Sequence, residues 1–220
     1  MTEFPKSILQ RLEKSGVVAG FSLDRAVHAV PLARALLAGG IDVIELTLRT
    51  PAGMEAVRLI SAEVPEILMG VGTILTPEAV VEVKESGADF GVSPGMNPRV
   101  VRAAQEVGLP FAPGISTPSD LEAAMELGCR FVKFFPAEAL GGLPYLRSMA
   151  APYKHLGIRY FPLGGVNAGN MLEYLAEDIV PAVGGSWIVA KDLVEKEDWS
   201  GLTARAADVI SALKSGSEKK

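Results

Sequence analysis

Residues 87–112 read GADFGVSPGMNPRVVRAAQEVGLPFA, and they hold one complete structural beat. Phe90–Ser93 is a short apolar run of strand length. Asn97-Pro98 sets a helix N-cap residue before a proline whose fixed φ suits the first helical position. The stretch Pro98–Val107 then reads as a helix, and Gly108 follows it as a C-cap glycine does. Pro110–Ala112 opens the next extended run. Strand, turn, helix, glycine and strand again is the sequence form of a βα unit.

The beat continues in both directions. The strand-like runs are Val17–Phe21, Asp42–Leu48, Ile67–Gly72, Phe90–Ser93, Pro110–Ala112, Arg130–Phe135, Arg159–Leu163 and Ala182–Val189. Helical stretches between them include Ala26–Leu37, Pro77–Ser86, Pro98–Val107, Pro118–Leu127 and Met171–Ala176. Thr76-Pro77 and Thr117-Pro118 repeat the N-cap signal, and Gly39, Gly87 and Gly128 repeat the C-cap signal. Eight units at intervals of about 20 to 28 residues predict a (β/α)8 TIM barrel. An open doubly wound sheet is the competing architecture, but it seldom keeps so even a beat. No linker-like composition divides the chain, so residues 1–220 are read as one domain. The N-terminal MTEFPKSILQRLEKSG predicts an extra amphipathic helix rather than a signal peptide. The tail, residues 215–220, is expected to fray.

Composition narrows the function. The 220 residues are 49% apolar and 21% charged, as expected of a globular protein with a sizeable core. A net charge of −5 with no Lys/Arg run argues against a general nucleic-acid partner. No apolar run reaches membrane-spanning length. Cys129 is the one cysteine, which excludes an intrachain disulfide and suits a reducing cytoplasm. His28 and His155 lie far apart in helix-like stretches, as surface or cap residues do, and no HxH, HExxH or CxxC spacing exists. Neither a metal nor a dinucleotide cofactor is expected.

In a barrel, chemistry sits at the C-terminal strand ends. In IDVIELTLRTP, residues 41–51, strand alternation sets Val43, Glu45, Thr47 and Arg49 on one face and Ile44, Leu46 and Leu48 on the other. The apolar set meets the outer helices, so Glu45 and Arg49 climb the inner wall. They read equally as a structural ion pair or as functional groups. In RFVKFFP, residues 130–136, Phe131, Lys133 and Phe135 share a face. Taken alone, Lys133 reads as a lysine snorkelling to solvent, because buried lysines are rare. An inward Glu45 shifts that balance toward chemistry. A free lysine, with a pKa of about 10.4, is an unprotonated nucleophile only about once in two thousand at neutral pH. Apolar walls such as Phe131 and Phe135 and a nearby cation such as Arg49 would raise that fraction, and Glu45 would serve as acid and base.

The last two strands end in Leu163-Gly164-Gly165-Val166-Asn167 and Val183-Gly184-Gly185-Ser186-Trp187. Such turns suit a phosphate, with bare N–H groups and the Ser186 hydroxyl as donors; they also serve as tight turns needing positive φ. Thr73 ends the third strand, and Ser93-Pro94-Gly95 closes the fourth, Ser93 being read as a helix entry.

Together these segments resemble the 2-keto-3-deoxy-6-phosphogluconate (KDPG) / 4-hydroxy-2-oxoglutarate aldolase family, class I aldolases with a barrel fold. The resemblance is carried by GGIDVIELTLRTP, MGVGTILTPE, GADFGVSPGMNP, PFAPGISTPSDL, KFFPAEALGG, LGGVNAGN and AVGGSW, in order across residues 39–189. It implies that Lys133 forms a Schiff base with the substrate and that Glu45 is the acid/base. Arg49 and Thr73 would hold the pyruvyl carboxylate beside Pro94 and Phe135. Gly164, Gly165, Gly184, Gly185 and Ser186 would take the phosphate. The implied reaction splits KDPG into pyruvate and glyceraldehyde 3-phosphate, and 4-hydroxy-2-oxoglutarate into pyruvate and glyoxylate. The family resemblance also implies a homotrimer.

Leu163 stands where many members carry threonine, at the position tied to stereochemical choice at C4. An apolar residue there resembles the branch acting on the C4 epimer, 2-keto-3-deoxy-6-phosphogalactonate (KDPGal), whereas ELTLRTP and GGS resemble the gluconate branch. The epimer or an unphosphorylated 2-keto-4-hydroxy acid is the alternative substrate. A sugar-phosphate-binding barrel without turnover is the alternative class, which a buried base beside a buried amine disfavours. Gly20-Phe21-Ser22 also lacks an arginine that some members carry near the first strand's end.

Overall fold

The computed structural model describes residues 4–217. The fold is α/β, with parallel strands alternating with helices. Helix α1 (Lys6–Ser15) precedes β1 (Val17–Phe21), α2 (Ala29–Ala38), β2 (Val43–Thr47), α3 (Gly53–Glu63), β3 (Leu68–Gly72), α4 (Pro77–Glu85), β4 (Phe90–Val92) and α5 (Pro98–Glu106). Then come β5 (Phe111–Ala112), β6 (Gly114–Ile115), α6 (Pro118–Glu126), β7 (Phe131–Phe134), α7 (Gly142–Ala150), β8 (Arg159–Pro162), α8 (Met171–Leu175), β9 (Val183–Gly185), α9 (Lys191–Glu195) and α10 (Trp199–Ser217).

The strands form two curled parallel sheets, β5-β4-β3-β2-β1-β9 and β6-β7-β8. The fifth expected run is longer than its apolar residues suggested. It is interrupted at Pro113, so β5 pairs with β4 and β6 pairs with β7. The Pro113 carbonyl itself accepts from the Lys133 N–H at 2.9 Å. A single extended segment thus borders both sheets.

Alternation sorts the side chains as the pleat requires. Ile44, Leu46, Val132 and Phe134 face outward into the core under the helices. Val18, Val43, Leu68, Phe90, Val92, Ala112, Phe131, Phe161 and Leu163 pack together on the concave side. Phe4, Ile8, Leu9 and Leu12 of the N-terminal segment close the lower end of that inner core. Phe4 stands edge-on to Phe90 and tilted against Phe131, with ring centroids 6.3 and 4.7 Å apart.

The helix joints follow the sequence signals closely. Thr76 and Asn97 accept from the N–H groups of Ala79 and Arg99. Thr117 and Asp120 form a reciprocal capping box. Burial opposes the Asp120 charge, but hydrogen bonds from Ser116 and Thr117 outweigh it and hold the carboxyl below its ordinary value.

Several expectations need correction. Gly87, Gly108 and Gly128 have positive φ after their helices, but Gly39 does not; Gly40, at φ 93°, makes that turn. Gly39 is instead a close-approach glycine, where a Cβ would lie 2.5 Å from Ala206 Cβ and 2.6 Å from the Thr203 carbonyl of α10. Ser93 does not enter a helix. Its hydroxyl turns back onto the Gly95 carbonyl at 2.8 Å, and α5 starts only after Asn97. His28 is buried rather than a surface residue, with Nε2 3.0 Å from Glu197 and its ring edge-on to Trp199. The last run shortens to Val183–Gly185, because the chain turns at Ser186-Trp187. Residues 215–217 continue α10 rather than fray, and residues 218–220 lie outside the described residues. Among the described residues no helix is long and apolar enough to cross a membrane.

Gly39→Ala separates the two roles of that glycine. Helix propensity alone favours alanine by up to about 1 kcal/mol. The collision with α10 reverses the sign, and a loss of about 1–3 kcal/mol is expected in urea unfolding. A stabilised Gly39→Ala protein would remove the close contact.

Candidate active site

Glu45 and Lys133 come from strands in different sheets, yet their side chains meet. Lys133 Nζ donates to Glu45 Oε1 at 2.9 Å. Lys133 is 4% exposed and Glu45 1%. The snorkelling reading of the lysine is therefore overturned, and so is a Glu45–Arg49 structural pair. Arg49 lies four residues further on, past the end of β2, exposed at the rim, and has no ion pair among the described residues.

Backbone glycines make room for the pair. A Cβ on Gly72 would lie 2.1 Å from Glu45 Oε1, and one on Gly20 would lie 3.6 Å from Oε2. Gly20 and Gly70 flank Glu45 in the ladder on either side. Of these, Gly72 is the position a side chain would take from the carboxylate; Gly20 leaves ordinary contact distance, and Gly70 is bare because the Phe90 ring and the Ile44 carbonyl fill its place. The Phe135 ring lies 5.1 Å from Nζ, within reach of a cation–π contact.

Above the pair opens a cleft of about 270 Å³. Of the residues singled out in the sequence, it brings together Glu45, Arg49, Lys133, Phe135, Leu163, Gly164, Gly185 and Ser186. Thr73, Pro94, Gly165 and Gly184 are not on its wall. Thr73 directly follows β3 in the left-handed region at φ 62°, a conformation costing a non-glycine residue about 1 kcal/mol or more. The Pro94 carbonyl presses on Gly114, where a Cβ would lie 2.2 Å away. Gly184 lies beneath Leu163, whose Cδ2 would be 2.9 Å from an added Cβ. Gly165 has φ 91° and backs onto Glu138. Gly20, Phe21, Ser22 and Thr47 also line the cleft, though the sequence reading gave none of them a role. Alternation sets Thr47 on the inner face, and Gly20-Phe21-Ser22 stands out at the first strand's end only for the arginine it lacks.

A primary amine and a carboxylate in contact at the floor of an open cleft suit imine chemistry. The amine adds to a carbonyl, and the carboxylate is placed to take and return the protons that addition and dehydration require.

The chain matches the family model described as KDPG and KHG aldolase over residues 8–205. It is 43% identical over 211 residues to the 2-dehydro-3-deoxy-phosphogluconate aldolase of Dickeya dadantii (strain 3937), covering 96% of this chain and 98% of that one. It is 42% identical to the KHG/KDPG aldolase of Escherichia coli (strain K12), over 90% of this chain and 92% of that one. Its structure is similar, with a TM-score of 0.86 and 36% identity, to KDPG aldolase from Legionella pneumophila with pyruvate captured as a covalent carbinolamine intermediate. That match covers 91% of this chain and 97% of the other.

Gly72→Ala tests the geometry at the pair. The added methyl must push the Glu45 carboxylate off Lys133, while the fold yields easily because the displaced atom ends a flexible side chain. Borohydride trapping of a pyruvyl adduct on Lys133 is expected to slow by about a hundredfold. An unchanged trapping rate in the folded variant would show that the contact is dispensable.

Proposed function

Because the chain belongs to the KDPG and KHG aldolase family, we propose that Lys133 and Glu45 carry its aldol cleavage through a Schiff base. It is an aldehyde-lyase whose substrate is KDPG, split into pyruvate and glyceraldehyde 3-phosphate; the names of its relatives support this. Cleavage of 4-hydroxy-2-oxoglutarate to pyruvate and glyoxylate is the companion activity, as the name of the Escherichia coli relative suggests. The observation that carries the mechanism is the buried 2.9 Å contact between Lys133 Nζ and Glu45 Oε1.

Glu45 accepts the ammonium proton, and the freed amine adds to the C2 keto carbon. Proton return from Glu45 expels water from the carbinolamine and leaves an iminium. Glu45 then removes the C4 hydroxyl proton. The C3–C4 bond breaks, its electron pair moves toward the iminium nitrogen, and C4 departs as the aldehyde. The remaining enamine takes a proton at C3, and water releases pyruvate and the free lysine. The iminium is the electron sink throughout.

Arg49 at the rim and Thr73 after β3 are assigned to the pyruvyl carboxylate, together with Pro94 and Phe135 as lining residues. Gly164, Gly185 and Ser186 on the cleft wall are assigned to the phosphate. Gly165 and Gly184 serve by letting their turns approach closely. The two sheets are read as arcs of one (β/α)8 barrel with α1 as its extra N-terminal helix, in one domain spanning residues 1–220. A homotrimer rests on family resemblance, and a cytoplasmic location on the lone cysteine.

One residue supports a second reading of the substrate. Leu163 is buried on the cleft wall and offers no hydroxyl there. Selection at C4 by a side-chain hydrogen bond from this position is therefore lost, which favours relaxed or inverted preference toward KDPGal. Leu163→Thr should raise the KDPG-to-KDPGal ratio of kcat/KM by about fivefold, the scale of one net hydrogen bond. An unchanged ratio would remove Leu163 from substrate choice.

The mechanism itself is tested by incubating the protein with pyruvate, reducing with borohydride and mapping the adduct by peptide mass spectrometry. A pyruvyl adduct on Lys133, absent in Lys133→Met, is expected. Full aldol cleavage by folded Lys133→Met would overturn it.

A further inference from the structure

Glu138 lies in the segment after β7 but does not line the cleft. Its position is nonetheless unusual. The Ala137 and Glu138 N–H groups donate to the carbonyls of Leu163 and Gly164, at 2.7 and 2.9 Å. Its carboxylate Oε1 accepts from the Tyr174 hydroxyl of α8 at 2.5 Å. Glu138 therefore grips the β8–α8 connection at both ends, by its backbone at the start and by its side chain beyond the finish.

The Gly-Gly turn is shaped against the same residue. Gly164 and Gly165 have φ of 92° and 91°. A Cβ on Gly165 would lie 2.5 Å from Glu138 Cβ, so the turn rests directly on that side chain. Within the connection, Asn167 Nδ2 donates to the Gly165 carbonyl, and the Asn170 side chain accepts from the Asn167 N–H. Those bonds hold the loop to itself but not to the rest of the molecule. Leu163, where the turn begins, is anchored directly, its N–H donating to the Phe134 carbonyl of the lysine-bearing strand at 3.0 Å; beyond that anchor, Gly164 and Gly165 are held against Glu138.

The donor in this tie is well protected. Tyr174 is 1% exposed. Burial, and then the bond to Glu138 and its charge, push the phenol well above its ordinary value, so it stays protonated and donating across the neutral range.

We propose that Glu138 and Tyr174 are positioning residues that fix the Leu163-Gly164-Gly165 turn relative to Lys133, and so set how the distal phosphate of the substrate is held. This rests on the reading of that turn and Ser186 as the phosphate site. Because neither side chain touches the cleft, their removal acts on the placement of the distal group and not on imine formation.

The test compares Tyr174→Phe, Glu138→Ala, Glu138→Gln and Ser186→Ala. Each is assayed for kcat and KM on KDPG and on unphosphorylated 4-hydroxy-2-oxoglutarate, with borohydride trapping of pyruvate as a third readout. Tyr174→Phe and Glu138→Ala should raise KM for KDPG by about fivefold, the scale of one lost hydrogen bond. Cleavage of the unphosphorylated substrate and pyruvate trapping should change less than about twofold on that same scale. Glu138→Gln, which keeps an acceptor for Tyr174, should restore KM. Equal losses on both substrates, or no loss on either, with Ser186→Ala still selective for KDPG, would overturn the positioning role alone. An unselective Ser186→Ala would overturn the phosphate site and the positioning role together.

Discussion

A lysine ammonium and a glutamate carboxylate stripped of water must find each other, and much of the inner architecture follows from that requirement. The charges of Lys133 and Glu45 share a site with almost no solvent, where an unpaired charge would cost several kcal/mol, about 3–5 by the measure of broken buried pairs. Their 2.9 Å contact meets the need from two strands that are not neighbours in the sheet. Space for it comes from Gly72, where a side chain would strike the carboxylate, while Gly70 beside Glu45 in the ladder makes room for the Phe90 ring. The inner core packs Phe90, Phe131 and Phe161, and the cleft opens above the pair.

The second constraint is the junction between the sheets. Pro113 cannot donate to a ladder, and the extended segment around it changes partner there, from β4 to β7. Gly114 is required at the change because the Pro94 carbonyl occupies the place of its side chain. The same bend sets Gly114 opposite Lys133 in the ladder. The segment that joins the sheets is thus also the neighbour that fixes the height of the lysine on the inner wall.

Above the pair, the cleft wall combines a cation, bare backbone and a hydroxyl. Arg49 is on that wall with Gly164, Gly185 and Ser186. Leu163 has its body over Gly184 and also lines the cleft. In the proposed Schiff-base chemistry of this aldolase-family chain, the amine and carboxylate are the reacting groups. In the roles proposed above, Leu163 and the Glu138–Tyr174 pair act on the rest of the substrate, away from the imine.

Much of this was legible in local sequence, because the forces concerned are local. Proline after Thr76, Asn97 and Thr117 marked helix starts, since a cap needs only its own first turn. Strand alternation set Glu45 and Lys133 on the inner face, since the pleat has a period of two whatever surrounds it. It could not say that the two side chains touch, because they stand 88 residues apart and meet only when the sheets curl. Nor could it separate Gly39, pressed on α10, from the left-handed Gly40 beside it, or show that His28 is enclosed by Glu197 and Trp199. Residue type and period determined the elements, their order and the facing of the chemical groups. Tertiary structure decided partners, distances and which glycines exist to make room, because those depend on surfaces brought together from distant parts of the chain.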